Sequence, residues 1–186
     1  MPNYYFTTVI QQTIPNADMS PLERLLLTHI FEWEQDDEGL YFFASEGSCD
    51  MICVSRYELE AAISASEEYE SSVISVVKDG LAETPEAESD TELDFSMTSW
   101  EPILQDIVRR SSTLTQITAM TAFTCSKMRP DGFGGMAILI TADVILGKTT
   151  DDILCELMDQ AEKATLAAAS GVADSSAARG ELPAAG

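Results

Sequence analysis

The sequence predicts an α+β fold, an antiparallel sheet with helices packed on it. Three observations carry that expectation: four helix-start signals of one kind, strand-like runs between them, and an element order, β-α-β-β-α, that occurs twice along the 186 residues. In order, Tyr4–Thr13 is rich in aromatic and β-branched residues and reads as the first strand. The first helix is announced by Ser20-Pro-Leu-Glu23. There the hydroxyl can cap a free amide, the carboxylate can reach back, and Pro21 has no amide to leave unpaired. Leu22, Leu25, Leu26, Ile30 and Trp33 then fall on one helical face, with His29 beside them.

Leu40–Ala44 and Met51–Val54 are short apolar runs that read as strands, separated by SEGSCD. Ser55-Arg-Tyr-Glu58 opens a less regular helical stretch over 56–82, which either breaks near 64–66 or runs on through Val73, Val76 and Val77. Glu92–Phe95 is a weak strand signal. Thr98-Ser-Trp-Glu101 announces a helix whose apolar face is Ile103, Leu104, Ile107 and Val108. Ile117–Cys125 alternates, and Met136–Ala142 is almost continuously apolar, as in a central strand covered on both sides. Thr149-Thr-Asp-Asp152 opens the last helix, with Ile153, Leu154, Leu157, Met158 and Ala161 on one face.

These elements group into a single domain over 1–168 made of two pseudo-repeats, 4–82 and 92–168, joined by a linker at about 83–91. A ferredoxin-like core over 4–95 with an αββα extension uses the same elements and stays open. Residues 169–186 have the composition of a disordered tail.

Charge is the strongest functional signal. The formal net charge is −22, and it is lopsided: residues 1–97 hold 21 acids against Arg24, Arg56 and Lys78, a net of 3 − 21 = −18. Residues 98–186 hold 11 acids against seven basic residues, a net of 7 − 11 = −4. The segment 58–94 carries 12 acids and one lysine. A field of that sign repels nucleic acid and anionic membranes and attracts basic protein surfaces, so direct nucleic-acid binding is not expected. The partner-binding candidates are Glu58, Glu60, Glu67, Glu68, Glu70, Asp79, Glu83, Glu86, Glu88 and Asp90, whose carboxylates can imitate the spaced charge of a nucleic-acid backbone.

Signals for chemistry are thin. The single histidine, His29, reads as packed at the edge of the core, HExxH is impossible with one histidine, and GxSxG does not occur. No catalytic residue and no cofactor are expected. Asp36, Asp37, Glu38 and Glu46 lack the EF-hand spacing and read as a solvated turn, so no metal site is expected. Cys49, Cys53, Cys125 and Cys155 form no CxxC pair and read as buried free thiols. Neither a membrane-length apolar run nor a basic leader is present, which makes the cytoplasm the expected compartment.

The 125–137 stretch CSKMRPDGFGGMA reads as a hairpin tip, its Asp131-Gly132 and Gly134-Gly135 supplying positive φ angles. Its glycines lead into a strand and not a helix, which excludes a phosphate loop. Arg109, Arg110, Lys127 and Arg129 are the candidates for an anion-binding or partner-binding loop, the basis of an alternative small-anion or catalytic reading.

The stretches 99–118 and 122–154, with SKMRPDGFGG as the most distinctive part, and more weakly 20–52, resemble a family of uncharacterised proteins carried on bacterial plasmids and integrative elements. The resemblance implies a mobile-element setting. In size and charge the chain is similar to acidic DNA-mimic proteins of the antirestriction and anti-CRISPR type. The leading expectation is therefore a non-enzymatic inhibitor of a basic nucleic-acid-processing protein. A homodimer with a merely solvated acidic face is a third expectation.

Overall fold

Local capping sets the start of two helices: the computed structural model, which describes residues 1–85 and 87–177, follows two of the four boxes to the letter. The strands are β1 (Tyr4–Ile10), β2 (Ile14–Pro15), β3 (Glu32–Gln35), β4 (Gly39–Ala44), β5 (Met51–Ser55), β6 (Asp90–Asp94), β7 (Gln116–Cys125), β8 (Phe133–Thr141) and β9 (Ile145–Thr149). The helices are α1 (Pro21–Ile30), α2 (Arg56–Ala65), α3 (Ile74–Glu83), α4 (Glu101–Arg110) and α5 (Thr150–Ala177). The α+β class is as expected.

Ser20 and Glu23 close a reciprocal box ahead of α1, the Glu23 amide donating to Ser20 Oγ at 3.2 Å and the Ser20 amide to Glu23 Oε2 at 2.9 Å. Thr149 and Asp152 do the same before α5, at 2.8 and 3.1 Å. Ser55 precedes α2 without a side-chain cap. Thr98 does not start a helix: Ser99 turns the chain at φ 61°, and α4 begins later, with Trp100 at its N-cap.

Two expected spans change. Helix α1 stops at Ile30, where the amide of extended Phe31 closes onto the Leu27 carbonyl at 2.9 Å, so Trp33 lies on β3 and not on the helix. The cause is the next turn, in which the Asp36 carboxylate accepts from the amides of Glu38 and Gly39 and folds β3 back on β4. The 56–82 stretch breaks: buried Ser66 accepts from the Leu22 amide at 3.0 Å, which ends α2 by spending its hydroxyl on the first turn of α1.

The main sheet has seven strands in the order β2-β4-β1-β7-β8-β9, with β3 also paired to β4. Strands β5 and β6 form a separate two-stranded ribbon. Pairing crosses the two sequence halves, with Tyr4 opposite Cys125 through Ile10 opposite Ala119, and Met51 opposite Asp94 through Ser55 opposite Asp90. The halves share an element order but not a pairing pattern, since β7 and β8 are partners whereas β4 and β5 belong to different sheets. Compact units divide at Lys148/Thr149, and in the 83–91 segment Glu83 ends α3 and Asp90 begins β6. Helix α5 runs through Ala177, past the residue 168 limit read from composition; residues 178–186 and Glu86 lie outside the described residues.

Helix α4 lies on β7 and β8, α1 packs on α2 and β5, and α3 packs on β6. One continuous core runs from Ile10, Ile117, Ile138 and Ile140 on the sheet through Leu26, Leu104 and Ile107 to Ile52, Val54, Leu93 and Phe95 on the ribbon. Phe31 sits in its middle, edge-on to Trp100 at 5.3 Å. Strand β8 departs from the expected two-sided cover: Ile138 and Ile140 are buried, while Ala137 on the other face is exposed.

Candidate functional site

Strand alternation builds an acidic surface on the ribbon. Ile52, Val54, Thr91 and Leu93 point inward, which forces Met51 and Cys53 on β5, and Asp90, Glu92 and Asp94 on β6, to the outer face. The last turn of α3 and the segment after it add Glu83, Thr84, Pro85 and Glu88, and together these residues line an open depression of about 510 Å³. Gly80 sets how closely helix and ribbon approach, because a Cβ there would stand 2.4 Å from Leu93 Cδ2.

Arg56, at the start of α2 just after β5, is turned inward. Arg56 Nη2 donates to the carbonyls of Leu81 and Thr84 at 3.0 and 2.7 Å, capping α3, and Nη1 meets Glu60 Oε1 at 3.4 Å. Glu83, Glu88, Asp90, Glu92 and Asp94 are thus left as an exposed row of carboxylates. Hydrogen bonds from Ser96 hold the Asp94 carboxyl below its ordinary range, which keeps it ionised in mild acid. Among the described residues, no three carboxylate, thiol or imidazole groups converge closely enough to hold a metal ion. The carboxylates are spread along the ribbon and the segment before it instead of converging on one point.

Of the expected acidic residues, Glu83, Glu88 and Asp90 line the depression, Asp79 is exposed on α3, Glu58 and Glu60 are exposed on α2, and Glu67, Glu68 and Glu70 are exposed on the turn after α2. Glu92 and Asp94 complete the row. The alternation D-T-E-L-D was the signal that could have selected them from the sequence.

The four basic candidates do not form one site. Arg109 donates to the Ala142 carbonyl, Asp106 Oδ1 and Gln105 Oε1 at 2.8, 2.9 and 2.7 Å. Arg110 pairs with buried Glu23, donates to the Glu70 carbonyl at 3.0 Å and lies 5.4 Å from the Tyr69 ring centre. Arg110 pins the Glu70–Ser72 turn to α4, where Asp106 also accepts from the Ser72 amide, and Arg109 ties α4 to the chain just after β8. Lys127 and Arg129 sit in the β7–β8 loop, Arg129 facing Asp131 at 3.2 Å. Strand β7 separates the two pairs, nine residue steps or about 30 Å. The loop is the hairpin tip expected, but its geometry differs: Gly132, Gly134 and Gly135 are not at positive φ, and Gly132 is needed because a Cβ would stand 2.8 Å from Cys125 Cβ.

Other expectations resolve locally. His29 is exposed, its Nδ1 within 2.8 Å of the Leu25 carbonyl, instead of packed at the core edge, because the helix turns it past the buried stripe. Cys125 is buried, but Cys49, Cys53 and Cys155 are exposed; on β5 the inward places go to Ile52 and Val54. Asp36 accepts from Thr13 and from the Gly39 and Glu38 amides, which lowers its carboxyl pKa and explains the residue as a turn former. A second depression of about 380 Å³ lies between Phe6, Thr8, Thr121 and Met136 on the sheet and Asp50, Ser99 and Glu101; its carboxylates make it unsuited to an anion. Among the described residues no helix is long and apolar enough to cross a membrane.

Neither a protein-family model, nor a curated protein, nor a solved structure matches the chain.

Proposed function

We propose that the chain is a non-enzymatic docking protein whose acidic ribbon face occupies the nucleic-acid channel of a basic nucleic-acid-processing protein and blocks it. The observation that carries this reading is the row Glu83, Glu88, Asp90, Glu92 and Asp94, exposed around one depression with its neighbouring arginine engaged elsewhere. Magnitudes favour a single strand as the shape imitated. From Asp90 to Asp94 the ribbon spans four residue steps, about 14 Å. Duplex DNA carries on the order of eight charges over that length and one strand about four. Asp90, Glu92 and Asp94 put three carboxylates on that length, with Glu83 and Glu88 beside them, near the count of one strand and well short of the duplex.

The test is capture of basic proteins from a bacterial lysate on the immobilised chain at low salt, followed by elution with single-stranded DNA. The expected result is a basic protein that the oligonucleotide displaces and that the variant Asp90→Lys/Glu92→Lys/Asp94→Lys does not retain. A captured protein that resists both the oligonucleotide and about 0.5 M salt sinks the reading, because exposed charges are screened within a few ångströms there.

A further inference from the structure

One sheet face of this strongly acidic chain carries little charge. On the sheet face turned away from α4, β7 and β8 present Gln116, Thr118, Met120, Ala122 and Thr124 against Phe133, Gly135, Ala137, Leu139 and Thr141. Neither strand contains a charged residue, in a protein with 32 acids. Met120, Phe133 and, on β9, Leu146 are 48%, 49% and 58% exposed. Small side chains run between them, and Met120, Ala137, Leu139, Leu146 and Gly147 line a shallow, mostly apolar groove of about 440 Å³ in which Lys148 supplies the charged lining group. A patch of that kind on a strongly acidic chain marks an association surface.

The second observation is α5. Every residue from Thr150 to Ala167 is exposed, including the apolar stripe Ile153, Leu154, Leu157, Met158, Ala161 and Ala164. Asp152, Glu156, Asp159, Glu162 and Lys163 lie on the other side of the helix. A helix of 28 residues is about 42 Å long, and helices owe most of their stability in proteins to packing of such a stripe.

We propose that α5 of one copy packs its apolar stripe into the β7–β9 groove of a second copy, and the reverse, forming a two-fold dimer. One isologous association covers both exposed features twice. The half-exposed side chains of stripe and groove hide about 1,400 Å² over two copies, within the range of roughly 1,200–2,000 Å² for stable interfaces. The acids on the far side of the helix oppose the alternative of an anionic lipid surface. The acidic ribbon plays no part in this contact, so the dimer stands independently of the docking reading.

Sedimentation of the full chain tests it, with Leu157→Glu as helix variant and Met120→Glu as sheet variant. The wild type is expected at twice the 20.2 kDa chain mass, and each variant as a monomer with a dissociation constant raised at least about 100-fold. An equimolar mixture of the two variants is expected to regain dimer, because an unaltered helix then meets an unaltered groove. Far-UV circular dichroism checks that both variants stay folded, and Leu157→Ser and Met120→Ser replace any that does not. A monomeric wild type at about 100 µM overturns the proposal. So does a mixture no more dimeric than its components, which would mean that helix pairs with helix or sheet with sheet.

Discussion

The β5–β6 ribbon and the β7–β8 hairpin follow the same rule and arrive at opposite surfaces. Each is an antiparallel pair with one face in the core and one in water, so residues alternate inward and outward. The outer face of the ribbon holds Asp90, Glu92 and Asp94; the outer face of the hairpin holds Met120, Ala122, Phe133 and Ala137. Burial treats the two alike, and only the composition of the outward positions differs. Alternation decides which residues face out, and the composition of those outward positions alone makes one face acidic and the other apolar.

The comparison breaks most sharply at Leu93, which is 1% exposed beneath the ribbon. Leu93→Ala is expected to cost about 2–5 kcal/mol in urea unfolding, because the cavity lies under the carboxylate row, while the hairpin face keeps its structure. Loss of hydrogen-exchange protection in β7 and β8 to the same extent as in β5 and β6 would show that the two sides are not separable.

Next in size is Arg110, which joins α4, against the sheet, to α1 and the turn after α2. Burial raises the Glu23 carboxyl above its ordinary value of 4.5, while the Ser20 amide and the Arg110 guanidinium pull it down. A raised folded pKa means that the folded chain holds the proton more tightly. The contribution of Glu23 to stability is therefore complete below about pH 4.5 and is lost as pH rises through the folded value. Arg110→Ala is expected to destabilise by about 2–3 kcal/mol near neutrality, since it strands a buried carboxylate. The gap should narrow on acidification as Glu23 takes up a proton. Unfolding curves at several pH values check the sign; a gap that widens toward acid contradicts it.

Gly80→Ala is expected to cost about 1–3 kcal/mol by pushing α3 away from Leu93, and to weaken partner capture by altering the acidic depression. The smallest expected effect is the most informative about the ribbon. Asp90→Asn, Glu92→Gln and Asp94→Asn together should leave stability within about 0.5 kcal/mol per site while removing the capture of basic protein. A large loss of stability in that variant would mean that these carboxylates serve the fold.

Much of the fold was legible in the chain. Leu22, Leu26, Ile103, Leu104 and Ile107 read as helix faces and are buried, and the Ser20–Glu23 box caps where its spacing says it must. The runs at 40–44, 51–54 and 117–125 are strands within a residue or two. Trp33 misled because its spacing from Leu26 and Ile30 continues a helical face, whereas the Asp36 turn supplies strand partners that outweigh local periodicity. Strand β2, at two residues, is too short to show a period, and β9, with the sequence ILGKT, does not alternate. For the candidate site, the sign and location of the charge were legible. Its membership was only partly so: the D-T-E-L-D alternation could single out Asp90, Glu92 and Asp94 among the 12 acids, whereas only the packing of α3 on β6 brings Glu83 and Glu88 beside them.

What the sequence by itself determined is therefore local: the starts of α1 and α5 set by caps, faces set by periodicity, and a first half with a net charge of −18. The tertiary structure alone decided which strands pair across the halves, which arginines are consumed inside the fold, and that Lys127 and Arg129 stand a strand's length from Arg109 and Arg110. The physical reason is range. Caps and periodicity act over three or four residues, whereas strand pairing and ion pairing join residues such as Glu23 and Arg110, separated by 87 positions, whose meeting depends on how the intervening chain packs.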